Sequence, residues 1–335
     1  MSMNRVDDGR AEISAAKSAD NSRLASRDRA GDPAFDRRRA RIGAGLALLG
    51  VCSFAPTIPL SKYLVGQIEV YELAFARMLL GSLAALVFLS ARLALRRPTL
   101  PSVSRLPEIA MTALGVVVGF PLLLVFALDR LPATFGSVVS GLLPLVTAVL
   151  GVSLGRERVS PWFWVPALCG SCLTVYYGLE RLAFEPAVAV LLAAIVLGAM
   201  GYVFGARLTR DWNASRKSNF GGPLAIAWAL ALSAPLAAAG ALSFWPRELP
   251  ALDFFGVAAI LYLGIVSQFL GFFFFYAGLA VGGIAVSSQL QLIQPFLSLG
   301  LSVLLLGESL VWLDGAAAAG IVFCVWLSRV LARST

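Results

Sequence analysis

The chain has 335 residues, 59% hydrophobic and only 14% charged, with a mean hydropathy of +0.82 and a formal net charge of +8. Soluble domains sit near half apolar and a quarter charged, so this composition excludes an ordinary soluble globule and indicates a membrane protein. With no histidine, the chain lacks the commonest general base and metal ligand, which argues against an enzyme and against a metal or cofactor site.

Residues 1–36 are polar, carry six basic and seven acidic side chains, and show no apolar period. They read as a disordered cytoplasmic tail. Arg37, Arg38, Arg39 and Arg41 then stand before the first apolar run. Ten such runs follow, at roughly 42–62, 70–92, 109–128, 132–155, 162–179, 186–207, 220–244, 254–280, 283–306 and 311–330. Each is near the ~20 residues a helix needs to cross a bilayer, and none alternates as a barrel strand does. The predicted fold class is all-α: a polytopic transmembrane helix bundle whose consecutive helices are antiparallel neighbours.

Of the 27 Lys and Arg residues, 22 fall on the side of the N-terminus when the spans are threaded in order. The positive-inside rule then predicts an inner-membrane, multi-pass protein with both termini cytoplasmic. Four cysteines are present, and Cys169-Gly-Ser-Cys172 has a redox-like spacing, but it falls in mid-span and reads as small-residue packing. Gly115-x-x-x-Gly119, Gly151-x-x-x-Gly155 and Gly201-x-x-x-Gly205 likewise predict close helix approach.

The ninth run organises its polar residues. Ser288, Gln291, Gln294, Pro295, Ser298 and Ser302 recur at steps of three and four and share one helical face. Amides and hydroxyls at bilayer depth need partners or water, so this stripe should face a protein interior or cavity. A related pattern lies 151 positions earlier, where Ser137, Ser140, Pro144, Thr147 and Glu157 align with Ser288, Gln291, Pro295, Ser298 and Glu308. The chain therefore reads as two related halves of five spans. Five is odd, so the second half must be inverted, with Glu157 and Glu308 at opposite membrane faces.

The paired segments Ala133–Pro144 to Glu157 and Gly283–Pro295 to Glu308, with Glu72-Leu-Ala-Phe-Ala-Arg77 in the second span, resemble the drug/metabolite transporter superfamily and its EamA-type ten-helix group. One departure is that Trp228 stands where symmetry would repeat Arg77. The resemblance implies an EamA-like repeat at 37–180 and another at 181–335. It also implies transport of amino acids, nucleosides, drugs or other small metabolites, mostly outward in bacteria.

Candidate substrate-binding residues are Arg77, Ser140, Thr147, Gln268, Ser288, Gln291, Gln294 and Ser298, with Pro144 and Pro295 as hinges. Each has a plainer reading. The glutamines serve equally as interhelical glue, the prolines as tolerated kinks, and the terminal glutamates as helix caps. Arg77 lies a few residues inside its span, so it either snorkels to pair with Glu69 or Glu72 or attracts an anion within the pathway. The expected cavity lies between the fourth and ninth spans, completed by the second, third, seventh and eighth. Its lining, free of fixed negative charge, suits zwitterionic or amphipathic metabolites. The partners expected are a small-molecule substrate and the lipid bilayer, with no nucleic acid and room for a homodimer. The alternatives are a flippase-like carrier of a lipid-linked or phosphorylated substrate, and a non-transporting scaffold or receptor.

Overall fold

A computed structural model describes residues 33–97, 100–155, 162, 164–182, 185–216, 221–244, 252–282 and 290–332, and these are helices joined by short connections, with no strand among them. The first span is α1 (Pro33–Phe54) and α2 (Thr57–Val65), and the second is α3 (Val70–Ala94). The third runs through α4 (Leu106–Thr112), a π-helical stretch Ala113–Gly119, and α5 (Phe120–Arg130). The fourth is α6 (Ala133–Ser140) and α7 (Leu143–Gly155), and α8 (Trp164–Leu182) is the fifth.

The second half opens with α9 (Pro186–Arg216) and α10 (Gly221–Ser243). Its eighth span is α11 (Phe254–Leu261), a second π-helical stretch Tyr262–Leu270, and α12 (Gly271–Gly282). A 3₁₀ turn Leu290–Ile293 leads into α13 (Gln294–Leu306), and α14 (Trp312–Ala332) closes the chain. Helix α1 begins at Pro33, so the four arginines expected ahead of the first span lie within its helix. Among the described residues seven crossings are long and apolar enough to span a bilayer by themselves, and Leu290–Leu306 and Trp312–Ser328 are shorter apolar helices.

Counterpart helices of the two halves pack on one another and run antiparallel. Tyr71 and Phe75 near the start of α3 stack on Phe244 just past the end of α10, at 4.7 and 5.5 Å between ring centroids. Near the end of α8, Tyr177 and Arg181 meet Asp314 in the first turn of α14, at 2.7 and 3.1 Å. Glu308, just past α13, reaches the first residues of α6. Three antiparallel counterpart pairs require the halves to be inverted. The heaviest packing is thus between repeats (α12 on α1, α10 on α3, α9 on α5, α14 on α8) rather than between consecutive spans as the short loops suggested.

The repeat extends to the backbone. At the end of the first π stretch the Phe120 N–H donates to the Gly115 carbonyl, and at the end of the second the Gly271 N–H donates to that of Val266. Both bonds skip five residues, and each end lies 151 positions from its counterpart. Rare π turns at equivalent positions in both halves mark the third and eighth spans as a built feature.

Two of the small-residue motifs do what their spacing predicts. A Cβ on Gly115 would overlap the Gly201 backbone, where the third and sixth spans cross. Gly115→Leu should therefore lower the yield of folded, detergent-extracted protein several-fold by overpacking. Gly300→Leu, with nothing within 4 Å of its added Cβ, should leave it unchanged. Equal yields would remove the close-approach role. Cys169 and Cys172 are exposed on the bundle surface.

Candidate functional site

The prolines of the first half position a set of polar contacts between spans. A proline lacks the N–H that would bond the carbonyl four residues back. Pro59 thereby frees the Ala55 carbonyl between α1 and α2, and Ser298 Oγ of α13 donates to it at 2.8 Å. Pro132 frees the Leu128 carbonyl at the end of α5, and Lys62 Nζ donates to it at 2.7 Å.

At the first π stretch two carbonyls are released together. The shifted bond from Phe120 leaves the Val116 carbonyl without its usual donor, and Pro121 leaves that of Val117. Gln268 Nε2, from the second π stretch, donates to both at 3.2 and 3.1 Å. Because the amide nitrogen faces two carbonyls, the amide oxygen must point the other way. There it accepts from Arg77 Nη2 at 3.1 Å.

Arg77 is only 1% exposed. Its other contact is Nη1 to Ser61 Oγ at 3.5 Å, and Nε is buried with no hydrogen-bond partner. It pairs with neither Glu69 nor Glu72. The expected snorkelling is replaced by an inward reach because Ser61 and Gln268, on neighbouring spans, offer oxygens at its own depth.

These groups border a cavity of about 40 Å³. The polar lining is Thr57, Arg77, Ser140, Ser267, Gln268 and Gln294, with the Tyr202 ring, and the apolar lining includes Phe54, Phe120 and Phe272. Thr57 and Ser267 hydroxyls bond each other at 2.7 Å across the halves. The Tyr202 hydroxyl is bonded by the side chain of Gln291. The volume accommodates a few waters rather than a metabolite.

Four predicted site residues thus line one cavity: Arg77, Ser140, Gln268 and Gln294. Gln291 stands behind Tyr202, 8% exposed. Two others are committed elsewhere: Ser298 holds the Ala55 carbonyl, and Thr147 Oγ1 bonds the Leu143 carbonyl of its own helix. Ser288 and Glu157 lie outside the described residues. The seventh span contributes nothing to the lining, contrary to expectation, since α10 packs on α3 behind the cavity; the first and sixth spans take its place. Thr57 and Tyr202 were not anticipated. The signal for Tyr202 was its position in mid-span, unlike the span-end tyrosines.

The predicted hinges lie at real breaks. The helix of the fourth span stops at Ser140 and resumes at Leu143, so Pro144 occupies a first turn, where its missing N–H costs little. Pro295 is likewise in the first turn of α13, after the 3₁₀ turn. At one end of the bundle Glu308 accepts from the backbone N–H groups of Ala133 and Thr134, at 2.8 and 2.7 Å. The glutamate is a helix cap, as predicted, but on the counterpart helix rather than its own. Ser137 and Ser302 meet beside it at 3.3 Å. This end is closed.

Two inverted five-helix repeats meeting at broken and π-helical segments around a mid-bundle cavity define the architecture of a multi-pass membrane transporter. The chain belongs to the EamA-like transporter family, whose model matches residues 41–177 and 185–330. It is 34% identical over 287 residues to the uncharacterized transporter YdeK of Bacillus subtilis (strain 168), covering 85% of this chain and 96% of that protein. Protein PecM of Dickeya dadantii (strain 3937) is 28% identical over 221 residues, covering 63% of this chain and 68% of PecM. A solved crystal structure 21% identical in sequence superposes with a TM-score of 0.59, over 87% of this chain and 97% of the other, and shares the fold.

Proposed function

We propose that this protein exports a small amphipathic metabolite of amino-acid size across the inner membrane by alternating access, with both termini in the cytoplasm. The observation that carries the reading is a mid-bundle cavity lined by both repeats, at the place where the helices are broken or π-wound. Inverted repeats give one structure two symmetry-related openings, and discontinuous helices at a shared interface are where such carriers hold substrate. Arg77, Ser140, Gln268 and Gln294 form the substrate surface in this reading, and Gln291 supports it through Tyr202. Pro144 and Pro295 mark the joints about which the two halves rearrange. The excess of arginine on the side of the termini supplies the orientation.

The test compares metabolites in medium and cells, with the protein overexpressed and absent, alongside Ser140→Trp, which fills the cavity. Accumulation of a compound in the medium with the native chain, reduced about tenfold or more by Ser140→Trp at equal membrane abundance, is the expected result. An unchanged efflux from a well-expressed Ser140→Trp protein excludes this cavity as the pathway.

A further inference from the structure

Resting on the transport reading, we propose that the substrate is a small monoanionic carboxylate with an apolar or aromatic body, bound as the counter-ion of Arg77. The guanidinium is buried at bilayer depth and makes two hydrogen bonds, both to neutral oxygens, one of them long at 3.5 Å. Its Nε–H is buried and unpartnered. Arg77 forms no ion pair with the described residues, and no carboxylate lines the cavity.

A buried cation whose neighbours are all neutral is left with an uncompensated charge, and a planar fork of N–H donors matches a carboxylate in two parallel bonds. A monoanion leaves the loaded cavity neutral. A zwitterion leaves its charge unbalanced and finds no acid for its ammonium among the lining residues, while a phosphate dianion overshoots it. Gln268 acts as a positioning residue here: with its nitrogen fixed on the Val116 and Val117 carbonyls, its oxygen holds the guanidinium in the cavity wall. Phe54, Phe120, Phe272 and the ring of Tyr202 supply an aromatic surround for the remainder of the ligand.

The experiment measures thermal unfolding of the purified full chain at neutral pH with benzoate, indole-3-acetate or hexanoate, against benzamide, phenylalanine and phenyl phosphate. At least one monocarboxylate should raise the midpoint, by a few degrees at saturation, while benzamide does not. Arg77→Gln should abolish that shift. Ser61→Asp places a fixed carboxylate beside Nη1, so it should raise the ligand-free midpoint and also abolish the shift. A shift that survives either variant, or that benzamide matches, overturns the proposal. So does silence from all three monocarboxylates, or a response confined to phenylalanine or to phenyl phosphate. The Ser140→Trp efflux assay decides the transport reading separately, so loss of carboxylate binding with efflux intact removes only the anion.

Discussion

Gln268→Leu is expected to destabilise the folded protein by about 3 kcal/mol, an effect that Pro121→Ala partly reverses. The substitution strands three polar groups at bilayer depth: one N–H of Arg77 and the carbonyls of Val116 and Val117. Interhelical hydrogen bonds in membranes contribute about 0.6 kcal/mol each on average and up to about 1.7 kcal/mol, and one of these three involves a charge. Pro121→Ala returns an N–H at position 121 that can close on the Val117 carbonyl, so it should recover roughly 1 kcal/mol in the Gln268→Leu background. In the native background that carbonyl already has Gln268 as a donor, and the same change should gain nothing. Thermal or denaturant unfolding of the four proteins in detergent gives the coupling. Strict additivity would mean that Gln268 and Pro121 do not share the Val117 carbonyl.

That dependence explains what was readable in the sequence. A proline leaves the carbonyl four residues back without its helical donor, as the structure shows at Pro59, Pro121 and Pro132, none of which the sequence pattern had singled out. What no local pattern states is which side chain closes the gap. The donors are Ser298 and Gln268 from the other repeat and Lys62 from another span, between 66 and 243 positions away. Helical periodicity put Gln291, Gln294 and Ser298 on one buried face, but it cannot separate a hydroxyl spent on a neighbouring backbone from an amide left facing a cavity. Thr147 shows the same limit, since its face was right and its hydroxyl turned back on its own helix.

Arg77 was left between two readings for a related reason. Depth from the span end favoured a reach outward, whereas Ser61 and Gln268 draw it inward from helices that sequence proximity does not reveal. The offset of 151 positions was legible in the fourth and ninth spans because their side chains still correspond. In the third and eighth it survives in the backbone alone: Phe120-Pro121 faces Gly271-Phe272, and only the shared π turn records the kinship.

Glu308→Ala is expected to open the end of the bundle that the glutamate now holds shut. Its carboxylate caps α6 through the Ala133 and Thr134 N–H groups, adding favourable charge at the positive end of that helix. Loss of a comparable cap costs about 0.5–2 kcal/mol. Glu308 comes from the other repeat, so this cost falls on a contact that must break whenever α6 and α13 separate. A bias near 1.4 kcal/mol shifts the closed-to-open ratio about tenfold. Ser137 and Ser302 are both fully buried beside the cap, so Ser302→Cys, in a chain with Cys52, Cys169, Cys172 and Cys324 replaced by alanine, becomes a reporter of opening. A membrane-impermeant maleimide should label it about ten times faster with Glu308→Ala than without. Glu308→Gln, which keeps one acceptor oxygen, should fall between. Labelling should come from the face opposite the termini if the arginine asymmetry orients the chain as proposed. An unchanged rate would reduce Glu308 to a cap with no part in closure, and labelling from the other face would invert the assigned topology.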